Sequence, residues 1–421
     1  EMRQKIAFSD YLEIQPRAHT RCMIDDGTLP DEGAMLDVFR RLIRLADEAG
    51  KPVCATSDFH FLDPEDEIHR AVIHSAMGYS GVERSCPLYF KTTDEMLKEF
   101  DYLGAEKAEA VVVDGPQGIA NQVEEMSPIP EAFCPAEVPG AEKEIEDRTW
   151  ARAKELYGEV LPAEIEAQLK KELGTIVGNK YASLFWIASK LVERSKSRGY
   201  VVGSRGSVGS SLVATLCGVT EVNPLAPHYH CPPCRKVEFS SASPVGVDLP
   251  PRACPFCGTP YNREGFNIPF EVFLGFNGEK VPDIDLNFSG AFQAEAHKYV
   301  EELFGPEHTF RAGTISTMQS RLAFGFVKKY LESVGANPPG AEVDRLVAGC
   351  EGIKKTTGQH PGGIIIVPKD MDIYDFTPVQ RPADDSDSGT VTTHFDHDSM
   401  HDTLVKIDIL GHDNPTSIRH L

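Results

Sequence analysis

Two pairs of cysteines constrain this chain more than any other feature. Cys231 and Cys234 form one C-x-x-C corner and Cys254 and Cys257 a second, with 19 residues between them. Each corner contains proline, and Gly258 follows the second. Four thiolates at this spacing suit a tetrahedral structural Zn²⁺, as in a zinc ribbon, and a redox-active pair is the competing reading. A closed four-sulfur shell leaves no open position for catalysis, so its expected role is to staple the proline-rich insertion 224–260. His228 and His230, just upstream, are expected bystanders. The other six cysteines (Cys22, Cys54, Cys86, Cys134, Cys217, Cys350) are scattered. That is thiol usage of a reducing compartment, and a cytoplasmic location is expected.

A chain of 421 residues is long enough for about two to four domains. With 41% hydrophobic and 25% charged residues it has material for real cores, which excludes wholesale disorder. No run approaches the ~20 apolar residues of a membrane helix, so no membrane partner is expected. The net charge of −22 argues against indiscriminate nucleic-acid binding. Residues 311–360 reverse the sign, with seven bases against four acids. The opening stretch, EMRQKIAFSDYLEIQP, reads as strand-like material without a signal peptide, and DNPTSIRHL ends in mid-pattern. A piece of a longer protein is expected.

Along the chain, residues 31–50 have helical apolar spacing and 51–62 read as a buried strand running into a loop. This αβ unit resembles the end of a larger α/β domain. The Pro- and Gly-rich stretch 127–140 is the best linker, and 141–198 are strongly helical. The polar patch 382–389 reads as a solvated loop.

Chemistry is carried by four segments. In YVVGSRGSVGSSLVATLCGVT (200–220), a short strand, a Gly/Ser loop and a helix are expected. Gly203, Gly206 and Gly209 allow close backbone approach. The hydroxyls of Ser204, Ser207, Ser210 and Ser211, the loop amides and the dipole of the next helix are suited to an anion, with Arg205 adding charge. The spacing is neither a Walker A loop nor a Rossmann fingerprint. In KVPDIDLNFSG (280–290), Asp283 and Asp285 alternate with Ile284 and Leu286, which places both carboxylates on one strand face. Adjacent anions are costly without cations between them, which favours hard divalent metals. Asp408, between Ile407 and Ile409, is an acid inside a buried strand and needs a partner. Beside the first strand it supplies a third ligand for two metals, an arrangement suited to in-line phosphoryl or nucleotidyl transfer. Arg321, Lys328 and Lys329 on an amphipathic helix, with Lys354, Lys355 and His360 in a Gly-rich turn, are candidate phosphate contacts. Finally, Asp58 and His60 form a D-x-H pair at the end of a strand, suited to Zn²⁺ or Mn²⁺ in a phosphoesterase barrel. Glu13 is a weaker companion.

Together, GSRGSVGSSLVATLCGVTEVNPL, the CPPC/CPFCG pair, PDIDLNFSG, TTGQHPGGIIIVP and KIDILGHD resemble, in this order, the bacterial replicative DNA polymerase III alpha chain of the PolC type. CATSDFHFLDPEDEI resembles the closing segment of that family's polymerase-and-histidinol-phosphatase (PHP) domain. The resemblance implies an α/β chain. It comprises the C-terminal part of a PHP (β/α) barrel-like domain (1–85), a connecting segment (86–140), and a polymerase-beta-like nucleotidyltransferase palm with the zinc insertion (141–310). A helical thumb (311–365) and the second part of the palm (366–421) follow. It also implies two catalytic Mg²⁺ on Asp283, Asp285 and Asp408, and the incoming deoxynucleoside triphosphate on the loop from Gly203 to Ser211. Zn²⁺ falls on the four cysteines and a PHP metal on Asp58 and His60. Primer–template DNA is the implied partner of the thumb, and sliding clamp and other replisome proteins are expected through regions with no counterpart here. The expected activity is template-directed DNA synthesis. A metal-dependent phosphoesterase centred on Asp58 and His60 with a DNA-binding appendage is the alternative, and a non-catalytic zinc-ribbon scaffold a third.

Overall fold

A computed structural model describes residues 2–79, 87–276, 278, 280–382 and 389–421. Most of the patch 382–389 therefore lies outside the described residues, as does Cys86. The chain is mixed α/β and forms two compact units, one from residues up to Met126 together with Thr317–Lys355, the other from Ser127–Ser316 with Thr356–Leu421.

The first unit holds a two-stranded parallel sheet, β1 (Leu12–Ile14) beside β2 (Val53–Ala55). Between them runs the helix Glu32–Glu48, started by the Asp31 side chain, which accepts from the Ala34 amide at 2.8 Å. Ile14, Ile43, Ala46, Val53 and Ala55 close the core with Met96, Phe100 and Val111. The last three come from residues 93–114, which fold as helices starting at a Thr92–Glu95 capping box. The connecting segment expected over 86–140 is thus largely part of this unit, because its apolar residues complete the β1–β2 core. The opening residues also differ from expectation: Met2–Phe8 is a helix, not a strand, and Ile6 is its buried residue.

In the same unit, the helices Ser320–Ser333 and Gly340–Cys350 pack with Glu67–Ala76 around Val72, Ala323, Val327, Leu331, Leu346 and Cys350. The helical segment is shorter than the expected 311–365. Residues 309–317 and 354–366 on either side are strands, because Gly-Gly-Ile-Ile-Ile and Ala312 are buried among sheet neighbours rather than on a helix face.

The second unit is built on a seven-stranded mixed sheet. The strands are β3 (Gly203–Arg205), β7 (Ile284–Ser289), β8 (Thr309–Thr317), β9 (Lys354–Ile366), β10 (Val379–Gln380), β11 (Thr392–Asp396) and β12 (Val405–His412), in spatial order β10-β11-β8-β9-β12-β7-β3. The helices Ala141–Tyr157, Ala163–Gly178 and Ala182–Ser197 bury Ile145, Leu169, Ile176, Phe185, Ile187 and Leu191 in one core with Ile284, Leu286, Phe288, Ile407 and Ile409 of the sheet. Alternation along β7 decides which way each residue faces: Ile284 and Leu286 are fully buried, and Asp285 turns to the other side. A separate three-stranded antiparallel sheet is inserted, β5 (Lys236–Phe239), β4 (His228–Cys231) and β6 (Asn262–Glu264), so the zinc insertion runs a few residues past its expected end at 260. Among the described residues, no helix is long and apolar enough to cross a membrane.

Candidate active site and metal centres

The neighbouring strands β7 and β12 run parallel, and their register puts Asp408 directly beside Asp285. Asp283 immediately precedes β7. One oxygen from each of Asp283, Asp285 and Asp408 lies within 4.8 Å of the others. Burial, then the charges of Asp283 and Asp408, push the Asp285 pKa up to about 6. Lys406 precedes Asp408 by two residues on the same strand and reaches its Oδ2 at 2.9 Å. That ammonium offsets part of the negative charge. It leaves Oδ1 of Asp408 and Oδ1 of Asp285 buried without a hydrogen-bond partner. Three converging carboxylates, two of them with an orphaned buried oxygen, are what a divalent cation satisfies, so this donor set fits hard metal ions.

His360, expected among phosphate contacts, lies beside this site. The His360 Nδ1 accepts from the Gly363 amide at 2.7 Å and stands 3.5 Å from Asp408 Oδ1. A nitrogen that accepts is unprotonated and cannot donate to the carboxylate. Burial, first among the causes, lowers the His360 pKa, which agrees with a neutral ring. Gly363 pairs with Asp408 across β9 and β12, and a Cβ there would lie 2.8 Å from His360 Nδ1.

The Gly/Ser loop begins later than expected, at Gly206. Gly203–Arg205 form β3 rather than Tyr200–Val202, because Arg205 pairs with Asp285 and Gly203 with Asn287 on β7. The chain then turns through a short 3-10 helix, Gly206–Ser210, and enters the helix Leu212–Leu216. Gly206 has φ +72°, and a Cβ on it would lie 3.8 Å from Asp285 Oδ2, so the turn passes close to the carboxylates. Several expected anion donors are already used. Ser204 Oγ bonds Thr220 Oγ1 at 2.6 Å, and Ser210 Oγ donates to the Ser207 carbonyl at 2.6 Å. Gly209 is buried against Val222. The start of the next helix is held by the Glu172 carboxylate, not left open for a ligand. Arg205 and Gly206 remain exposed, with Ser207 half-buried.

The four cysteines converge. Their Sγ atoms lie within 4.8 Å of one another, with Cys231 to Cys257 at 3.4 Å and Cys254 to Cys234 at 3.9 Å. Thiolates at ~2.3 Å from one tetrahedral Zn²⁺ stand about 3.8 Å apart, whereas a disulfide needs ~2.05 Å. All four are free thiols. The cluster can bind zinc. Burial opposes ionisation of Cys254, but amides of Phe256 and Cys257 donate to it and bring its pKa down to about 6. The two upstream histidines are bystanders: His228 Nδ1 faces the Ala226 carbonyl at 2.8 Å and His230 Nε2 the Leu156 carbonyl at 3.0 Å.

Asp58 and His60 lie in the loop after β2, with Asp58 Oδ1 3.5 Å from His60 Nε2 and both side chains substantially exposed. Among the described residues, no third His, Cys, Asp or Glu joins them within 4.8 Å. Glu13 on β1 instead accepts from Thr56 Oγ1 at 3.2 Å. Arg321 and Lys328 are exposed, whereas Lys329 donates to the Ala76 carbonyl at 3.1 Å. Lys354 and Lys355 line a cleft of about 560 Å³ with His60, His69 and Arg70.

Three residues of this region escaped the sequence reading. Lys406 was signalled by the alternation K-x-D. Asn287, with a buried unpartnered Oδ1, continues the alternation of Asp283 and Asp285. Glu172 was signalled by an acid on an apolar helix face.

This fold and this carboxylate site define a class. The pattern of the family described as "Bacterial DNA polymerase III alpha NTPase domain" matches residues 143–337 and 328–411, and the chain belongs to that family. Within it, the chain is similar to proteins named DNA polymerase III PolC-type. It is 51% identical over 423 residues to that of Clostridium perfringens, covering 100% of this chain and 29% of the relative. It is 49% identical over 426 residues to that of Bacillus subtilis, covering 100% of this chain and 30% of the relative. For that of Caldanaerobacter subterraneus the identity is 52% over 418 residues, covering 99% and 30%. The chain thus spans less than a third of these relatives' length.

Proposed function

We propose that this chain carries the palm of a replicative DNA polymerase and contributes template-directed DNA synthesis to a longer protein. The observation that carries the reading is the convergence of Asp283, Asp285 and Asp408, two of them with orphaned buried oxygens, beside a Gly-containing turn. Asp283, Asp285 and Asp408 would hold two Mg²⁺. When bound, the ions neutralise the carboxylates, lower the pKa of a primer 3′-hydroxyl and stabilise the charge of the transferred phosphoryl and the pyrophosphate leaving group.

The chain's own residues do the rest. Ser204, Ser207, Ser210, Gly203, Gly206 and Gly209 shape the nucleotide-binding turn, and exposed Arg205 offers a guanidinium to the triphosphate of a deoxynucleotide. Lys406 pairs with Asp408 and offsets part of the site's negative charge. Neutral His360 fixes the backbone of β9 behind Asp408 through the Gly363 amide. Zn²⁺ on Cys231, Cys234, Cys254 and Cys257 ties the insertion together.

The finer family assignments are proposals of the same kind: residues 1–85 as the end of a PHP domain with Asp58 and His60 toward a Zn²⁺ or Mn²⁺, 141–310 and 366–421 as a polymerase-beta-like palm, and the Ser320–Cys350 helices as the thumb. Primer–template phosphates fall to Arg321, Lys328, Lys354 and Lys355. Replication in the cytoplasm, with sliding clamp and replisome partners, belongs to the same proposal, and the relatives' names carry the polymerase part of it.

The test is primer extension by the full-length protein with Asp285→Asn. Extension falls by at least about a thousandfold if the two-metal reading holds. Extension at the wild-type rate overturns it. Extension retained in Asp285→Asn, with a phosphatase activity that Asp58→Ala removes and Asp285→Asn leaves untouched, would favour the phosphoesterase alternative.

A further inference from the structure

Glu172 lies in the middle of the helix Ala163–Gly178, on the face that carries Ile165, Leu169, Leu173 and Ile176 into the core. It is 0% exposed. A carboxylate in that position is costly unless its oxygens are satisfied. They are. Its Oε1 accepts from the Leu212 amide at 3.0 Å and from Gln168 Nε2 at 2.7 Å. Its Oε2 accepts from Ser211 Oγ at 2.8 Å and from the Val213 amide at 3.0 Å. Ser211 Oγ in turn accepts from the Ala214 amide at 3.1 Å. All four groups facing the carboxylate are donors, which suits the acceptor-only ionised form. Burial pushes the Glu172 pKa up, and these donors work against that.

Two consequences follow. The first amides of the helix Leu212–Leu216, which an anionic ligand would otherwise meet, are occupied by the chain's own carboxylate. The residue that follows the turn Gly206–Ser210 is anchored to a helix far away in sequence. At its other end the turn is anchored by β3, whose Arg205 pairs with Asp285.

We propose that Glu172 is a positioning residue for the incoming triphosphate. By holding Ser211 and the start of the helix behind it, it sets the turn Gly206–Ser210 at a fixed place beside Asp285. Substrate phosphates are then received on the open side of the turn, at Arg205, Gly206 and Ser207, and not at the helix start. The inference rests on the polymerase reading above. Glu172 touches neither substrate nor metal-binding carboxylates, so its effect is on the address of the phosphates rather than on the chemistry.

The experiment uses the full-length polymerase and compares wild type, Asp285→Asn, Glu172→Gln, Glu172→Ala and Ser211→Ala. Steady-state kinetics with dNTP varied are read alongside primer–template affinity and thermal melting. Glu172→Gln keeps the shape of the side chain but turns an amide donor toward other donors. The expected result is a KM for dNTP raised about tenfold, with kcat within about twofold and DNA affinity unchanged. Ser211→Ala shifts KM in the same direction by less. Glu172→Ala gives a larger KM rise, or fails to fold, in which case Glu172→Gln and Ser211→Ala carry the test. A lowered melting temperature in both with wild-type KM overturns the proposal and leaves Glu172 a plain helix cap. If Asp285→Asn itself extends primers normally, it is the polymerase reading that has failed.

Discussion

Asp285 and Asp408 stand side by side on the parallel strands β7 and β12, in direct register, and each keeps one buried oxygen without a hydrogen-bond partner. In the absence of a cation the pair is under electrostatic stress, and the stress has a pH signature. Asp285 has its pKa raised from 3.8 to about 6. The folded state therefore holds a proton that the unfolded chain has already lost. Stability is highest below the unfolded pKa and declines as pH climbs from about 4 through about 6. The expected size is about 1 kcal/mol, less than the full shift implies because the side chain keeps some solvent. Melting temperatures of the metal-free protein across pH 4–8 check this, and Asp285→Asn should flatten the profile and raise Tm at pH 8.

Divalent ions should reverse that decline. Millimolar Mg²⁺ or Mn²⁺ at pH 8 is expected to raise Tm by a few degrees through binding to the folded state alone. Asp408→Asn should remove most of the rise. A rise of equal size in that variant would separate the ions from the three carboxylates.

One zinc on the four cysteines is expected from metal analysis, and Cys254→Ser or Cys231→Ser should remove it. Both residues are buried, at 2% and 0% exposure. Loss of the ion should loosen β4, β5 and β6, seen as faster proteolysis within 224–264, with a cost on the order of several kcal/mol to that insertion. Chelation of the wild type should reproduce the proteolysis.

Gly363→Ala tests the support of the site without touching a ligand. The new methyl meets both His360 Nδ1 and Ala312 Cβ. Relief requires the ring to leave the Gly363 amide, with an overpacking cost of about 1–3 kcal/mol. Mg²⁺ should then raise Tm less in this variant than in wild type, whereas His360→Ala should disturb it less than Gly363→Ala does.

What could be read from the chain by itself was local and periodic. C-x-x-C spacing sets up two sulfur corners because a tight turn between the cysteines brings them round. Asp283 and Asp285 share a face because a strand repeats every second residue, and Asp408 declared itself as an acid among aliphatic neighbours. Family likeness was legible for the same reason, since it rests on short contiguous segments. Tertiary structure alone decided the pairings. The register of β12 against β7 brings Asp408 to Asp285. The fold of β9 brings His360 to within 3.5 Å of Asp408. The capture of the helix Leu212–Leu216 by Glu172 fills what looked in sequence like an open anion cradle. Each of these joins residues separated by tens of positions or more, and such contacts depend on sheet order and core packing, which no local repeat encodes.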